Sequence, residues 1–296
     1  MLNLEDYEFQ WCKEQFFDHL RRLDYSWETL KAYEKDMQFF KRFMLVKKQE
    51  DYFLMKSITK EDLLLFMDFG REMKHKPNTI ARRISTLKSF YKFLVNELDY
   101  PIDVAARIRL PKVYIPLKDI LTENEVKLLL HRASEKDSFY HLFFSIIYYT
   151  GSRLSPVRTL EKKNVLLEEK IFYFPKVKGG KDLYLPIHNN LVNLIKQHYQ
   201  DPFILDNRYV FPSRKFPIKP VSAADIRLKL TNLVKVVGIN KKVTPHAIRH
   251  CTATHLTIKK IDQRTIATIL GHSDLRSTLR YQHLSIEHLR EPINYL

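Results

Sequence analysis

The chain has 296 residues, with 50 Lys and Arg against 34 Asp and Glu, a net charge of +16 and a pI near 9.6. With 45% hydrophobic and 28% charged residues it lies in the globular range, which excludes disordered, collagen-like and coiled-coil chains and leaves room for about two domains. An excess of this size points to a polyanionic partner, of which nucleic acid is the commonest.

Glycine is rare, at 6 residues, which leans the fold toward helix. Cys12 and Cys251 stand far apart with no CxxC, so a disulfide framework or zinc ribbon is excluded and a reducing cytoplasm fits. The start, MLNLEDYEFQWCKEQ, is acidic and mixed rather than a basic segment followed by an apolar run, unlike a signal peptide. The longest apolar run, Leu142 to Tyr149, is too short to span a bilayer. The expectation is a cytoplasmic protein.

Residues 1–110 read as helices only. Apolar positions recur at helical spacing through Phe16, Leu20 and Leu23, then Leu30, Tyr33, Met37, Phe40 and Phe43. A third set covers Leu63 to Phe69, and a fourth takes Ile80, Ile84, Leu87, Tyr91 and Leu94 behind the start signal Pro77-Asn78-Thr79. Four or five short helices with one buried stripe each form a small bundle. Residues 111–121, with two prolines and two lysines, read as an extended linker.

A second domain spans 122–296. Thr122 and Glu125 form a capping box that opens a helix over 123–133, and another helix follows at 137–149. Three β-type runs come next, Val165–Leu167, Ile171–Phe174 and Leu183–Pro186, separated by Glu-Glu-Lys and Gly-Gly turns. From Leu191 the pattern returns to helix. The fold class is mainly α, an N-terminal helical bundle plus a mostly α domain with a small antiparallel sheet.

Four short pieces in the second domain carry chemistry: Thr150-Gly151-Ser152-Arg153, Lys178-Gly179-Gly180-Lys181, His246-Ala247-Ile248-Arg249, and Gly271-His272 with Tyr281 nine residues on. Alone, each has an ordinary structural reading as a helix start, a solvated turn or a packed aromatic. Together they supply two Arg, a Lys, two His and a Tyr with no carboxylate among them, which suits a phosphodiester. Guanidiniums grip the non-bridging oxygens, Lys or His moves protons at the attacking and leaving oxygens, and Tyr attacks phosphorus. His246 and His250 have zinc-protease spacing, but Ala247 stands where that motif needs Glu, and no metal is expected. KGGKDL lacks the phosphate-loop pattern.

In order and spacing these pieces resemble the tyrosine recombinase (phage integrase) family, in particular its compact, Xer-like two-domain members. The resemblance covers residues 115–290, and more loosely the N-terminal helices through Thr29, Tyr33 and the 79–94 helix. It implies a SAM-like, core-binding bundle in front of a catalytic domain, with Tyr281 as nucleophile forming a 3′-phosphotyrosine. Arg153, Arg249 and His272 would bind the scissile phosphate, Lys178 would protonate the 5′-oxygen and His246 would support proton transfer, with no metal and no other cofactor. The family often has an acidic residue three positions after the first Arg, where this chain has Pro156 with Ser155 as a possible cap.

On the 79–94 helix, Arg82, Ser85, Thr86 and Ser89, flanked by Arg83, Lys88 and Lys92, form a basic, small-residue face suited to double-stranded DNA. Thr29, Tyr33, Lys35 and Lys181 are further DNA-contact candidates. The tail stripe Ile286, Leu289 and Ile293 resembles the family helix that docks on a neighbouring protomer in a homo-tetramer holding two DNA sites. A second recombinase or accessory factor also fits the resemblance. Two rival readings share these residues: a type IB topoisomerase-like relaxing enzyme, and a site-specific DNA-binding protein that has lost catalysis.

Overall fold

The computed structural model describes residues 7–111, 120–177 and 181–271, the side chains of Lys176, Val177 and Lys181 excepted. The chain divides into two compact units, Met1–Pro116 and Leu117–Leu296.

The first unit consists of α1 (Phe9–Arg22), α2 (Trp27–Lys48), α3 (Lys60–Glu72) and α4 (Pro77–Glu97), with a short 3-10 turn at Met55–Ser57. The expected apolar stripe of α4 is buried in full: Ile80, Ile84, Leu87, Tyr91 and Leu94. Around it the core is largely aromatic. Phe16 of α1 lies 5.4 Å from the Phe90 ring and is stacked on Tyr33 of α2 at 6.0 Å. Each such ring removed from water stabilises the bundle by roughly 1.5–3 kcal/mol.

The ends of these helices follow the local sequence signals only in part. Pro77 does begin α4, but the cap position is Lys76, with no side-chain cap from Asn78 or Thr79. Leu23 is exposed rather than buried, because α1 ends at Arg22 and Leu23 turns away as its cap residue. α2 and α4, at 22 and 21 residues, are longer than the short helices expected.

The second unit opens with α5 (Glu123–Lys136), whose predicted capping box is present: Thr122 Oγ1 accepts from the Glu125 amide at 3.1 Å, and Glu125 accepts from the Thr122 amide at 2.7 Å. α6 (Ser138–Thr150) is apolar nearly all round and runs through the centre of the core. A short α7 (Leu154–Arg158) follows, then β1 (Val165–Leu166), β2 (Ile171–Val177) and β3 (Lys181–Pro186), paired antiparallel in the order β1-β2-β3. Phe172, Phe174 and Leu185 face the core, while Tyr173 and Tyr184 stack on the outer face at 4.8 Å. Among the described residues the remaining regular elements are helices: α8 (Asn189–His198), α9 (Pro202–Leu205), α10 (Ala223–Val237), α11 (Pro245–Ile258) and α12 (Gln263–Ile269).

Both cysteines are buried and free, and burial pushes the Cys12 thiol up to about 12 and the Cys251 thiol up to about 11. Neither is a thiolate at neutral pH. Among the described residues no helix is long and apolar enough to cross a membrane.

Candidate active site

Arg249 is the structural centre of the site. It lies on α11, is only 4% exposed, and donates Nη1 to the Gly151 carbonyl and Nη2 to the Leu270 carbonyl, each at 2.7 Å. Gly151 is the left-handed cap of α6, two residues before Arg153, and Leu270 follows α12, two residues before His272. One guanidinium therefore ties together the two backbone turns that precede Arg153 and His272 in the chain. His246 sits one turn earlier on the same helix, exposed, with its ring 6.3 Å from that of His250.

The turns themselves demand glycine. Gly151 has φ +60°, and a Cβ there would stand 2.5 Å from Leu270 Cδ2. Gly271 has φ +59°, and its Cβ would meet Leu183 Cδ2 of β3 at 3.1 Å. Close approach at Gly271 seats the chain leading to His272 directly on the hairpin strand that follows Lys178.

Arg153 is the N-cap residue of α7, with φ −70° and ψ 157°, and Pro156 occupies the first helical turn. Ser155 is thus inside the helix and does not cap it, a difference from the sequence expectation. Proline at this depth costs no helical hydrogen bond, since first-turn amides have no intrahelical acceptor. Lys178, His272, Tyr281 and the Ile286–Leu289–Ile293 tail lie outside the described residues, as do 112–119 of the linker. Lys181 opens β3.

Sequence reasoning missed a buried tie behind Arg249. His255, also on α11, donates Nε2–H to the Leu121 carbonyl at 2.8 Å, which leaves Nδ1 to accept from the Tyr148 hydroxyl at 2.9 Å. Thr252 adds a bond to the Tyr148 carbonyl at 2.7 Å. The available signal was spacing: His255 lies seven residues after the buried Ile248, on the core stripe of its helix.

Burial lowers the His255 pKa against the opposing pull of the Leu121 carbonyl, and burial lowers that of His198 as well. The folded state therefore disfavours protons that the unfolded chain takes up near pH 6.5. The stability these neutral rings confer is complete above that pH and is lost as pH falls through their folded values, by up to about 1.4 kcal/mol per pH unit for each ring. We expect the denaturant midpoint to drop between pH 7 and 5.5, with a shallower drop in His255→Gln. Equal drops in both proteins would show that His255 does not drive it.

In the first unit the DNA-contact candidates divide. Lys35 and Ser85 are exposed, Ser89 is half-buried, Thr29 contacts the Ser26 cap, and Lys88 donates to the Ala106 carbonyl at 2.9 Å. Tyr33 is half-buried against Phe16. Thr86 is buried rather than on the basic surface face, because a carboxylate on α2, Asp36, captures its hydroxyl at 2.9 Å. Arg83 is similarly drawn in, its guanidinium 3.5 Å from the centre of the Phe39 ring. Arg82 pairs with Asp36 yet keeps a side chain 46% exposed.

The phage integrase family profile matches residues 119–288, and the N-terminal SAM-like domain of phage integrases matches residues 14–98. Tyrosine recombinase XerD of Caulobacter vibrioides is 32% identical over 88% of this chain and 87% of its own length. A tyrosine recombinase of Thermosipho africanus is 31% identical over 92% and 94%. Among solved structures, the Tn1549 transposon integrase with transposon right end DNA superposes with a TM-score of 0.75 at 18% identity, covering 96% of this chain and 98% of that one. XerA recombinase gives 0.55 at 26% identity, covering 97% and 98%. With family profiles over both units, and relatives above 30% identity along nearly the whole length, the chain belongs to the phage integrase family, the tyrosine-type site-specific DNA recombinases.

Proposed function

We propose that this recombinase cuts one strand by attack of the Tyr281 hydroxyl on a scissile phosphate. The P–O5′ bond breaks and a 3′-phosphotyrosine forms. Lys178 donates the proton taken up by the 5′-oxygen, and His246 assists proton transfer. Arg153, Arg249 and His272 carry the charge of the pentavalent transition state. Because the phosphotyrosine keeps the phosphodiester's energy, rejoining needs the reverse attack by a 5′-hydroxyl and no nucleotide cofactor. The observation that carries this reading is the Arg249 bridge, whose anchors are the backbone turns leading to Arg153 and His272.

The reading extends to assembly and to DNA contact. Related structures hold a lambda integrase dimer on a core site and a lambda integrase tetramer on a Holliday junction. By analogy this chain forms a homo-tetramer on two sites, with the tail after Tyr281 exchanged between protomers and with room for a second recombinase or accessory factor. The helix α4 lies in the major groove, and the linker lets the two domains grip the duplex together.

A nicked half-site carrying the sequence selected by binding tests the reaction. Wild-type protein should form an SDS-resistant adduct at the DNA 3′ end, and Tyr281→Phe should form none. A bound but adduct-free wild-type complex would instead identify a DNA-binding protein without catalysis.

A further inference from the structure

Asp36 of α2 is a carboxylate 2% exposed, and side chains from three positions of α4, 82, 83 and 86, converge on it. Arg82 Nη1 donates to Oδ2, and Thr86 Oγ1 donates to the same oxygen at 2.9 Å. Arg83 Nε stands 3.7 Å from Oδ1. The two arginines then part company. Arg83 is packed on Phe39 and donates Nη1 to His75 Nδ1 at 2.7 Å, with its side chain 13% exposed. Arg82 reaches back once more, from Nη1 to the Ala32 carbonyl at 3.4 Å, and is 46% exposed.

A buried carboxylate is a poor adhesive between helices, since its desolvation offsets most of what it gains from its partners. Burial indeed drives the Asp36 carboxyl up from its ordinary value, against the Thr86 hydroxyl and both guanidiniums, which pull it down. What such a carboxylate does well is hold a guanidinium in one orientation. Both inward bonds of Arg82 leave from Nη1, so the edge formed by Nε and Nη2 is turned away from Asp36. That edge is a planar two-donor fork, the shape that matches the O6 and N7 acceptors of guanine. Its neighbours on the helix face are small: Asn78, Ser85 and Ser89 lie at spacings of four, three and seven from Arg82. The Ser85 hydroxyl is folded back on the Ala81 carbonyl at 2.9 Å, so the backbone of α4 can approach base edges closely.

We propose that Arg82 reads a guanine in the recombination site, held in a fixed orientation by Asp36, with Thr86 and Arg83 as positioning residues. This rests on the assignment of α4 to the major groove. It separates one base-reading arginine from a neighbour of the same type that is committed to packing. It also gives a function to a buried acid on an otherwise basic face.

Selection of binding sites from a randomised duplex pool by the full-length chain, followed by competition with singly substituted sites, tests the proposal. Wild type should require guanine at one position, and Arg82→Ala and Arg82→Lys should relax that position alone, by roughly 5- to 150-fold. Asp36→Asn and Thr86→Val should relax the same position while leaving the other base preferences intact. Thr86→Val keeps the test valid if Asp36→Asn fails to fold by circular dichroism. A uniform loss over all sequences in Arg82→Ala, with the salt slope reduced by about one, would make Arg82 a phosphate contact and overturn the proposal. Ser85→Glu, which adds a charge to the same face without touching Asp36, separates the two levels. If it abolishes binding while Arg82 variants keep the wild-type base preferences, only the guanine reading falls. If it binds as wild type does, the major-groove assignment falls and the proposal with it.

Discussion

Arg249→Ala is expected to abolish covalent adduct formation and to destabilise the catalytic unit by about 2–6 kcal/mol, the cost of leaving two buried carbonyls without donors. The acceptors are those of Gly151 and Leu270, and both residues are buried. Arg249→Lys tests the geometry rather than the charge. An ammonium offers a single nitrogen where the two carbonyls are served by two nitrogens of one planar fork, so at least one acceptor is lost. Lys should therefore retain part of the stability and little of the cleavage. The measurements are denaturant unfolding and adduct yield on the nicked half-site. A stable Arg249→Lys enzyme with wild-type adduct yield would refute the view that bridging the two turns sets the catalytic geometry.

Features that depend on a few neighbouring residues were legible in the sequence. The Thr122–Glu125 box, Pro77 at the first position of α4, the β2–β3 hairpin and the buried stripe Ile80–Leu94 all appear where spacing placed them. What could not be read is what depends on partners distant in sequence. Asp36 meets Thr86 across 50 residues, and His255 meets Leu121 across 134. Periodicity assigned Thr86 to a polar face because hydroxyl groups are usually exposed, and nothing local reveals a buried acceptor on another helix. The same holds at the site. Arg153, His246 and Arg249 are candidates by residue type, spacing and family resemblance, but the carbonyls that fix Arg249 belong to the backbone and leave no mark in the residue pattern, apart from the glycine that caps α6 at position 151.

DNA affinity is expected to fall by about 10³–10⁵ between 50 and 200 mM salt, as for a protein that displaces counterions from six to ten phosphates. Net charge alone does not set this slope, because a lysine already neutralised within the protein releases nothing on binding. Lys241 is one such residue, held by Glu125 at 2.6 Å and by the Ile120 carbonyl at 3.1 Å. Its neighbours differ. Arg227, Lys235 and Lys242 are exposed around a groove of about 490 Å³ that runs from α10 to Thr244 and Pro245, and among the described residues no acidic one lines it. The groove ends one residue before His246, so under the proposed mechanism its charge would lie on the duplex beside the scissile phosphate. Lys235→Gln with Lys242→Gln should make the salt slope shallower by about two and weaken binding to every sequence alike, since phosphate contacts carry no base information. Lys241→Gln should instead lower stability and leave the slope unchanged. If all three substitutions alter the slope equally, the charges act as a diffuse field and the groove does not track the backbone.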